Sequence, residues 1–361
     1  MKLVVDATAR RRFGAWIDEI ARIEFAVTPG EPTPQGYYTD LLGPPGSERD
    51  RALDKYVRYY LDLFELAGSP PRSLRVLEAG TGFGLGLVLL AALGAEHASG
   101  VEIVPWQVDF ARLAKSSLPD DYSSRVEPVV GDVGELPYPS ESFDVVLSLE
   151  AISHYLDYPP FLDEAHRVLR PGGVLVISDG NNGLNPLRRR ATHQIWASHE
   201  VDPRTDAIER PNSPWLFVPK RERIVAETDP TLDPEVVHEL ALRTSGMVRL
   251  QIEEAVRTYV ERGTFPDSRY RPGTLTVHPD QEMVMERLFN PFALAREVAG
   301  HGFDVRVRGH WGGANGSRLI RVANGLLASA SRATMVTARG FRIAAFKPQT
   351  LDRRGLPPHG G

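Results

Sequence analysis

Residues 76–86 read VLEAGTGFGLG: a short apolar run carrying one acid, Glu78, passes directly into a segment with glycine at 80, 82, 84 and 86. The apolar run predicts a strand. The glycines predict a turn whose backbone takes positive φ or lies close against something else. FGLGLVLLAALG then has the character of a helix, closed by Gly94. A glycine-rich turn between the first strand and first helix of a parallel sheet is where a nucleotide-like ligand binds. Two phosphate-binding patterns fail here. The dinucleotide pattern G-x-G-x-x-G needs glycine at 85 or 87, and both positions are leucine. A P-loop needs a lysine after its last glycine, and there is none. What fits is acid-x-G-x-G-x-G, from Glu78 to Gly84. A carboxylate at the strand tip suits a cationic amine better than a pyrophosphate.

Working outward, strands and helices alternate. LRVLEA, HASGVEIV, VEPVVGDV, SFDVVLSLE and VLVISDG are predicted strands. PWQVDFARLAKSSL and PPFLDEAHRVLRPGG are predicted helices, the second ended by Gly172 and Gly173. Such alternation predicts a parallel sheet with helices on both faces. The runs VVL and VLVI suit strands buried on both sides. Upstream, Phe13, Trp16, Ile17, Ile20 and Ile23 share one helical face, and Leu53, Tyr56, Val57, Tyr60, Leu61 and Phe64 another. Between these two helices a loop rich in proline and glycine centres on Tyr37 and Tyr38. From about Asn181 to Leu288 the alternation stops. That stretch is rich in arginine and proline and is expected to hold helices, such as DPEVVHELALRT, with Asp233 as N-cap and Pro234 in the first turn. The pattern resumes with a helix in NPFALAREVAGHGF, a strand in FDVRVRGHW, one long helical stretch through RLIRVANGLLASASRATMV and a last strand, GFRIAAFKP.

The chain has 361 residues, 42% hydrophobic and 25% charged, which is a globular composition. A net charge of -5 gives no basic footprint for nucleic acid. With no cysteine there is no disulfide, thiolate nucleophile or cysteine metal site. No apolar run approaches the roughly 18 residues of a membrane span, and the N-terminal apolar stretch is too short for a signal peptide. A cytoplasmic protein is expected.

Residues 73–179 resemble the class I S-adenosylmethionine-dependent methyltransferases, of the quinone-biosynthesis and small-molecule kind. The matching text is VLEAGTGFG, GVEIV, GDVGELPYPSESFDVVLSLEAISHY and HRVLRPGGVLVISD, in that order. An α/β fold is expected, with N-terminal helices and a large helical insert after strand 5 that a minimal domain of this family lacks; the resemblance implies its three-layer, Rossmann-like sheet of seven mostly parallel strands with an antiparallel last strand. It implies that residues 1–70 form a helical segment closing the cofactor site and 71–180 the cofactor-binding core. Residues 181–288 would be a substrate-binding cap, 289–350 would complete the core, and 351–361 would be a disordered tail. The cofactor implied is S-adenosylmethionine, with S-adenosylhomocysteine as product.

Roles follow position by position. Gly80, Gly82 and Gly84 would pass beneath the cofactor's methionine part, and Glu78 would orient its ammonium. Glu102 would accept both ribose hydroxyls, which needs a two-oxygen acceptor. Ile103 would pack on the adenine, and Asp132 with Val133 would hold its edge. Leu149 and Glu150 would line the methionine side near the departing methyl. Tyr38 is assigned to the segment that closes over the cofactor, where a tyrosine ring could face the sulfonium. A salt bridge is the rival reading of Glu102, and a turn cap that of Asp132.

Methyl transfer to oxygen is aided by a base near neutral pKa, a role that suits histidine. His154, just past the fourth strand, and His193 are the candidates, with a packed or exposed ring as the rival for each. No clustered Asp/Asn set forms a magnesium site, so no metal is expected. The arginines of NPLRRRATHQIW and VPKRERI could grip an anionic acceptor or form a solvated helix face. An asparagine-proline-aromatic signature of amino-methylating enzymes is absent after DVVLS, where LEAISHY stands. The expectation is therefore a small-molecule O-methyltransferase. The alternatives are an NAD(P)-type Rossmann enzyme and a non-catalytic binding protein of the same fold. The partners expected are a small-molecule acceptor and, as an option, a second copy of the chain; nucleic acid is disfavoured.

Overall fold

The computed structural model describes residues 3, 6–27, 33–44, 46–206, 216–312 and 318–349. In chain order the elements are α1 (Ala7–Ile20), α2 (Pro34–Leu42), α3 (Ser47–Ala67), β1 (Arg75–Ala79), α4 (Leu85–Ala92), β2 (His97–Glu102), α5 (Pro105–Ser116), α6 (Asp120–Ser123), β3 (Val126–Val130), β4 (Phe143–Leu149), α7 (Pro159–Val168) and β5 (Leu169–Asp179). They continue as α8 (Pro186–His199), α9 (Phe217–Thr228), α10 (Pro234–Leu242), α11 (Arg249–Arg262), β6 (Val277–His278), β7 (Met283–Val284), α12 (Pro291–Gly300), β8 (Asp304–His310), α13 (Arg318–Ser329), α14 (Ser331–Thr334) and β9 (Gly340–Phe346). They fall into two compact units. The first holds the described residues of Met1–Ile152, Asp157–Gly180 and Asn290–Gly361; the second holds those of Ser153–Leu156 and Asn181–Phe289.

The first unit is built on a seven-stranded sheet of order β3-β2-β1-β4-β5-β9-β8. β1 pairs in parallel with β2 and β4, β2 with β3, and β4 with β5. β9 pairs antiparallel with both β5 and β8, so it alone in this sheet runs against the rest. The strand order reverses between β1 and β4, and ligands of doubly wound sheets bind at such a switch point. One core runs from Phe13, Ile17 and Ile20 of α1 through Tyr60 and Phe64 of α3 and all of α4 to Val145 and Leu147 of β4 and Val176 of β5. α4, LGLVLLAA, is apolar on every side and buried throughout, as a helix without a polar face must be. Val146, Leu175 and Ile177, facing the other way, are also fully buried. The sheet is thus covered on both sides, and α7 and α12 pack on β5, β8 and β9.

Three expectations are corrected in this unit. The segment around Tyr37 and Tyr38 is a helix, α2, because the Thr33 side chain accepts from Gly36 N and Pro34 pre-sets the first turn. The helix expected to run through LRPGG stops at Val168. Leu169 instead starts β5 by pairing with Phe143, across an irregularity between Phe143 and Val145. The single long helix after β8 is broken at Ala330 into α13, α14 and a 3-10 turn at Met335–Thr337. The tail 351–361 lies outside the described residues.

The second unit packs α9 against α10 and α11 through Ile224, Val225, Leu240, Ile252 and Val256. Asp233 caps α10 as expected, accepting from Glu235 N. At its centre is an ion pair in which Arg221 donates from Nη2 and Nη1 to Glu200 at 2.6 and 3.1 Å, both side chains 1% exposed. Arg221 Nε also donates to Ala241 O. This arginine of VPKRERI is therefore committed to the protein.

Candidate functional site

The parallel strands β3, β2, β1, β4 and β5 end along one edge of the sheet, and every core residue singled out from the sequence except Tyr38 sits there. At the end of β1 the loop turns through Gly80, Gly82 and Gly84 with φ of 74°, 55° and 75°. Three left-handed residues in five positions require glycine. Gly80 N and Thr81 N donate to Val101 O of β2, at 2.8 and 3.2 Å, which ties the loop to the neighbouring strand.

Glu78 lies beneath this loop, 4% exposed. Its Oε1 accepts from the Tyr60 hydroxyl of α3 and its Oε2 from Thr81 Oγ1 at 2.7 Å. Burial raises its pKa, and these two hydrogen bonds draw it back. Its visible work is to brace the loop. Gly86, the second residue of α4, is where that carboxylate and the Tyr60 hydroxyl fit: a Cβ there would collide with both.

Glu102 ends β2. Its Oε2 accepts from Gly82 N at 3.0 Å and its Oε1 from Val104 N at 3.1 Å. One backbone bond thus fixes the carboxylate against the middle of the glycine loop. Next to it Ile103 is 38% exposed, a large aliphatic side chain left at the edge. Past β3, Asp132 Oδ1 accepts from Gly134 N at 2.8 Å, a turn cap, while Val133 is buried. At the end of β4, Leu149 packs on the main core, and Glu150 just past it takes a left-handed φ of 51°. Its N donates to Ser178 O and its Oε2 accepts from Gly180 N, both at 2.8 Å. A non-glycine residue in that conformation needs such support.

α2 bears on the same loop. Phe83, between Gly82 and Gly84, is 4% exposed within rings contributed by Tyr37, Trp106 and Phe110 at 5.0, 5.4 and 5.8 Å. Tyr38 is fully buried and donates to Phe83 O at 3.3 Å, so it acts from below the loop. Tyr37 is the tyrosine that emerges, 41% exposed. Burial of its hydroxyl end beside the Glu78 and Glu102 carboxylates pushes it up to about 12, so it is a neutral donor. Tyr37 belongs to the pair expected to close over the cofactor, whereas Tyr60, Thr81 and Phe83 were not foreseen as site residues. Only Phe83 carried a sequence signal: an aromatic residue inside a glycine turn needs a pocket to enter.

The two candidate histidines lie in the second unit. His154 closes a 3-10 turn, Ile152–His154, and its Nδ1 faces Val284 O at 3.0 Å. A carbonyl there calls for a proton on Nδ1 and leaves Nε2 with the lone pair. His193, on α8, stacks on Trp196 at 5.0 Å. Among the described residues no group of three or more His, Cys, Asp or Glu is arranged to hold a metal ion. No described helix is long and apolar enough to cross a membrane.

Residues 77–177 match the family model described as a methyltransferase domain. Among curated proteins, the chain is 34% identical over 131 residues to the probable phthiotriol/phenolphthiotriol dimycocerosates methyltransferase 2 of Mycobacterium ulcerans, covering 36% of this chain and 48% of that one. It is 33% identical over 152 residues to the 27-O-demethylrifamycin SV methyltransferase of Amycolatopsis mediterranei, covering 42% and 52%. It is 30% identical over 123 residues to the ubiquinone biosynthesis O-methyltransferase of Chelativorans sp., covering 34% and 46%. The chain spans about half the length of these three relatives. A solved S-adenosylmethionine dependent methyltransferase from Mesorhizobium loti aligns with a TM-score of 0.41 and 16% identity, over 80% of this chain and 98% of that one.

Proposed function

Because residues 77–177 form a class I S-adenosylmethionine-dependent methyltransferase domain, we propose that the protein transfers a methyl group from S-adenosylmethionine to an oxygen of a small-molecule acceptor. The observation that carries the reading is the joined pair of Gly82 and Glu102. A Cβ added at Gly82 would meet only Gln107 Oε1, at 3.6 Å. No packing demand therefore explains this glycine; its φ and the space over it do. Glu102, bonded to that same backbone, presents an oriented carboxylate beside exposed Ile103. A bare backbone, a two-oxygen acceptor and an apolar surface in sequence fit an amino-acid part, a ribose and a base. The names of the rifamycin and ubiquinone relatives favour oxygen as the atom methylated.

Bound S-adenosylmethionine would supply a sulfonium methyl for in-line displacement. The chain's residues supply position. The glycine loop would lie against the methionine part, Glu102 would accept from the ribose, and Ile103, Asp132 and Val133 would take the adenine. Glu150, its conformation set by β5, and Leu149 would border the methyl. Such alignment can itself contribute several kcal/mol to the rate. His154 is the proposed base. It stands five residues past Leu149 in the chain, and its Nδ1 partner leaves Nε2 to take the acceptor's hydroxyl proton. Residues 181–288 are proposed to bind the acceptor, since a chain segment leaving the carboxyl end of a strand is where α/β enzymes vary specificity.

The test is turnover of methyl-labelled S-adenosylmethionine with a panel of phenols, hydroquinones and hydroxy acids. The wild type should yield S-adenosylhomocysteine and a methyl ether. His154→Ala should lower kcat by roughly 10²–10⁴-fold at unchanged S-adenosylhomocysteine affinity. Full turnover by that variant would remove His154 as base. A product methylated on nitrogen or carbon would overturn the oxygen assignment.

A further inference from the structure

Arg342 is a charge in the middle of an apolar, buried strand, GFRIAAF. It is 9% exposed. In register it stands opposite Ser178 of β5 and Arg308 of β8. Ser178 is the residue whose carbonyl holds Glu150, so Arg342 belongs to the functional edge of the first unit. Its surroundings satisfy it poorly. The Tyr59 ring lies 5.2 Å from the guanidinium carbon, and Asp62 Oδ2 comes no nearer than 4.0 Å to Nη1. Asp62 is already engaged, since Arg58 Nε donates to its Oδ1 at 2.7 Å, and Arg58 also pairs with Glu65.

Nε and Nη2 of Arg342 are both buried without a hydrogen-bond partner among the described residues. These two nitrogens form the side-on edge of the guanidinium. Their N–H bonds run parallel and match the two oxygens of a carboxylate or phosphate. A buried cation with unmet donors is costly and is kept where something else completes it. Burial lowers the proton affinity of this guanidinium, while Tyr59, Asp62, Glu150 and Glu65 act against that.

We propose that the Nε–Nη2 edge of Arg342 is a subsite for an oxyanion, a carboxylate or phosphate, carried by the methyl acceptor. Assigning the anion to the acceptor rests on the methyl-transfer reading; the subsite itself does not.

The experiment uses the full chain with nitrogen-15-labelled arginine. The Arg342 Nε–H signal is identified by its loss in Arg342→Met. Titration with sodium acetate and with inorganic phosphate, each against sodium chloride at equal ionic strength, should shift that signal saturably with at least one oxyanion and not with chloride. Arg342→Lys, which keeps the charge but lacks the parallel donors, should bind the same anion about tenfold more weakly; it also serves if Arg342→Met does not fold. A signal indifferent to both oxyanions would overturn the subsite and leave Arg342 as a partner of Tyr59 and Asp62. Calorimetry with S-adenosylhomocysteine on the folded variant separates two sources of the anion. Unchanged affinity assigns it to the acceptor, and a tenfold loss would assign it to the cofactor's own carboxylate and overturn the acceptor assignment. A wild type that took up oxyanion at Arg342 yet bound no S-adenosylhomocysteine would defeat the methyl-transfer reading alone.

Discussion

Gly82, Gly84 and Gly86 alternate from the loop into α4 for three different reasons. Gly84 starts α4 at a left-handed φ, and a Cβ there would lie 2.8 Å from Ala111 Cβ of α5. Gly86 leaves room for the Glu78 carboxylate and the Tyr60 hydroxyl. Gly82 has open space instead: a Cβ there would meet only Gln107 Oε1, at 3.6 Å. Substitutions should separate them. Gly86→Ala forces apart a buried carboxylate and its donor, and overpacking of this kind costs typically 1–3 kcal/mol. The urea midpoint should fall accordingly, at an unchanged m-value. A midpoint equal to wild type would mean that Glu78 and Tyr60 are not closed over Gly86.

The elements show where reading from sequence succeeds. Strands buried on both faces, such as VVL in β4 and VLVI in β5, announce themselves by continuous apolar runs, and β4 and the body of β5 lie where those runs predict. α2 was hidden because its start signal, Thr33 with Pro34, sits among prolines and glycines that read as loop. The start of β5 was hidden because Leu169 belongs to the strand only by pairing with Phe143, a partner distant in the chain. The same distinction governs the site. Glycine spacing and acids at strand ends are local and legible. That Glu102 is bonded to Gly82, that Tyr60 of α3 closes on Glu78, and that Arg342 lies opposite Ser178 are facts of register and packing. Tyr38 shows the limit: adjacent tyrosines on a helix point about 100° apart, so one of the pair is buried while the other emerges, and the sequence does not say which.

At the scale of the molecule, acid sensitivity follows from buried histidine. His278 of the second unit is 1% exposed, and its Nδ1 accepts from Asp280 N and Gln281 N, both at 3.2 Å. That ring must be neutral to accept. Burial, with Lys220 nearby, pushes its pKa down to about 3, against about 6.5 in the unfolded chain. Below pH 6.5 the unfolded state takes up a proton that the folded state refuses until about pH 3. Stability therefore falls as pH drops through that window, by up to about 1.4 kcal/mol per pH unit for this one group. His278→Asn keeps an acceptor and removes the base. Between pH 7.5 and 5.5 its urea midpoint should fall less than that of the wild type, while equal falls would show that His278 is not held neutral.

The central claim is that the carboxyl edge of β1 and β2 holds S-adenosylmethionine, and calorimetric titration of S-adenosylhomocysteine into the wild type and into Gly82→Val tests it most directly. The wild type should bind with one-to-one stoichiometry and give no heat with NAD. Gly82→Val should keep the wild-type circular dichroism, since a Cβ at that position meets only Gln107 Oε1. It should nevertheless lose binding, because a branched side chain would occupy the ligand's space at a φ it tolerates poorly. Wild-type affinity in Gly82→Val, or a wild type that binds NAD and not S-adenosylhomocysteine, would contradict the account.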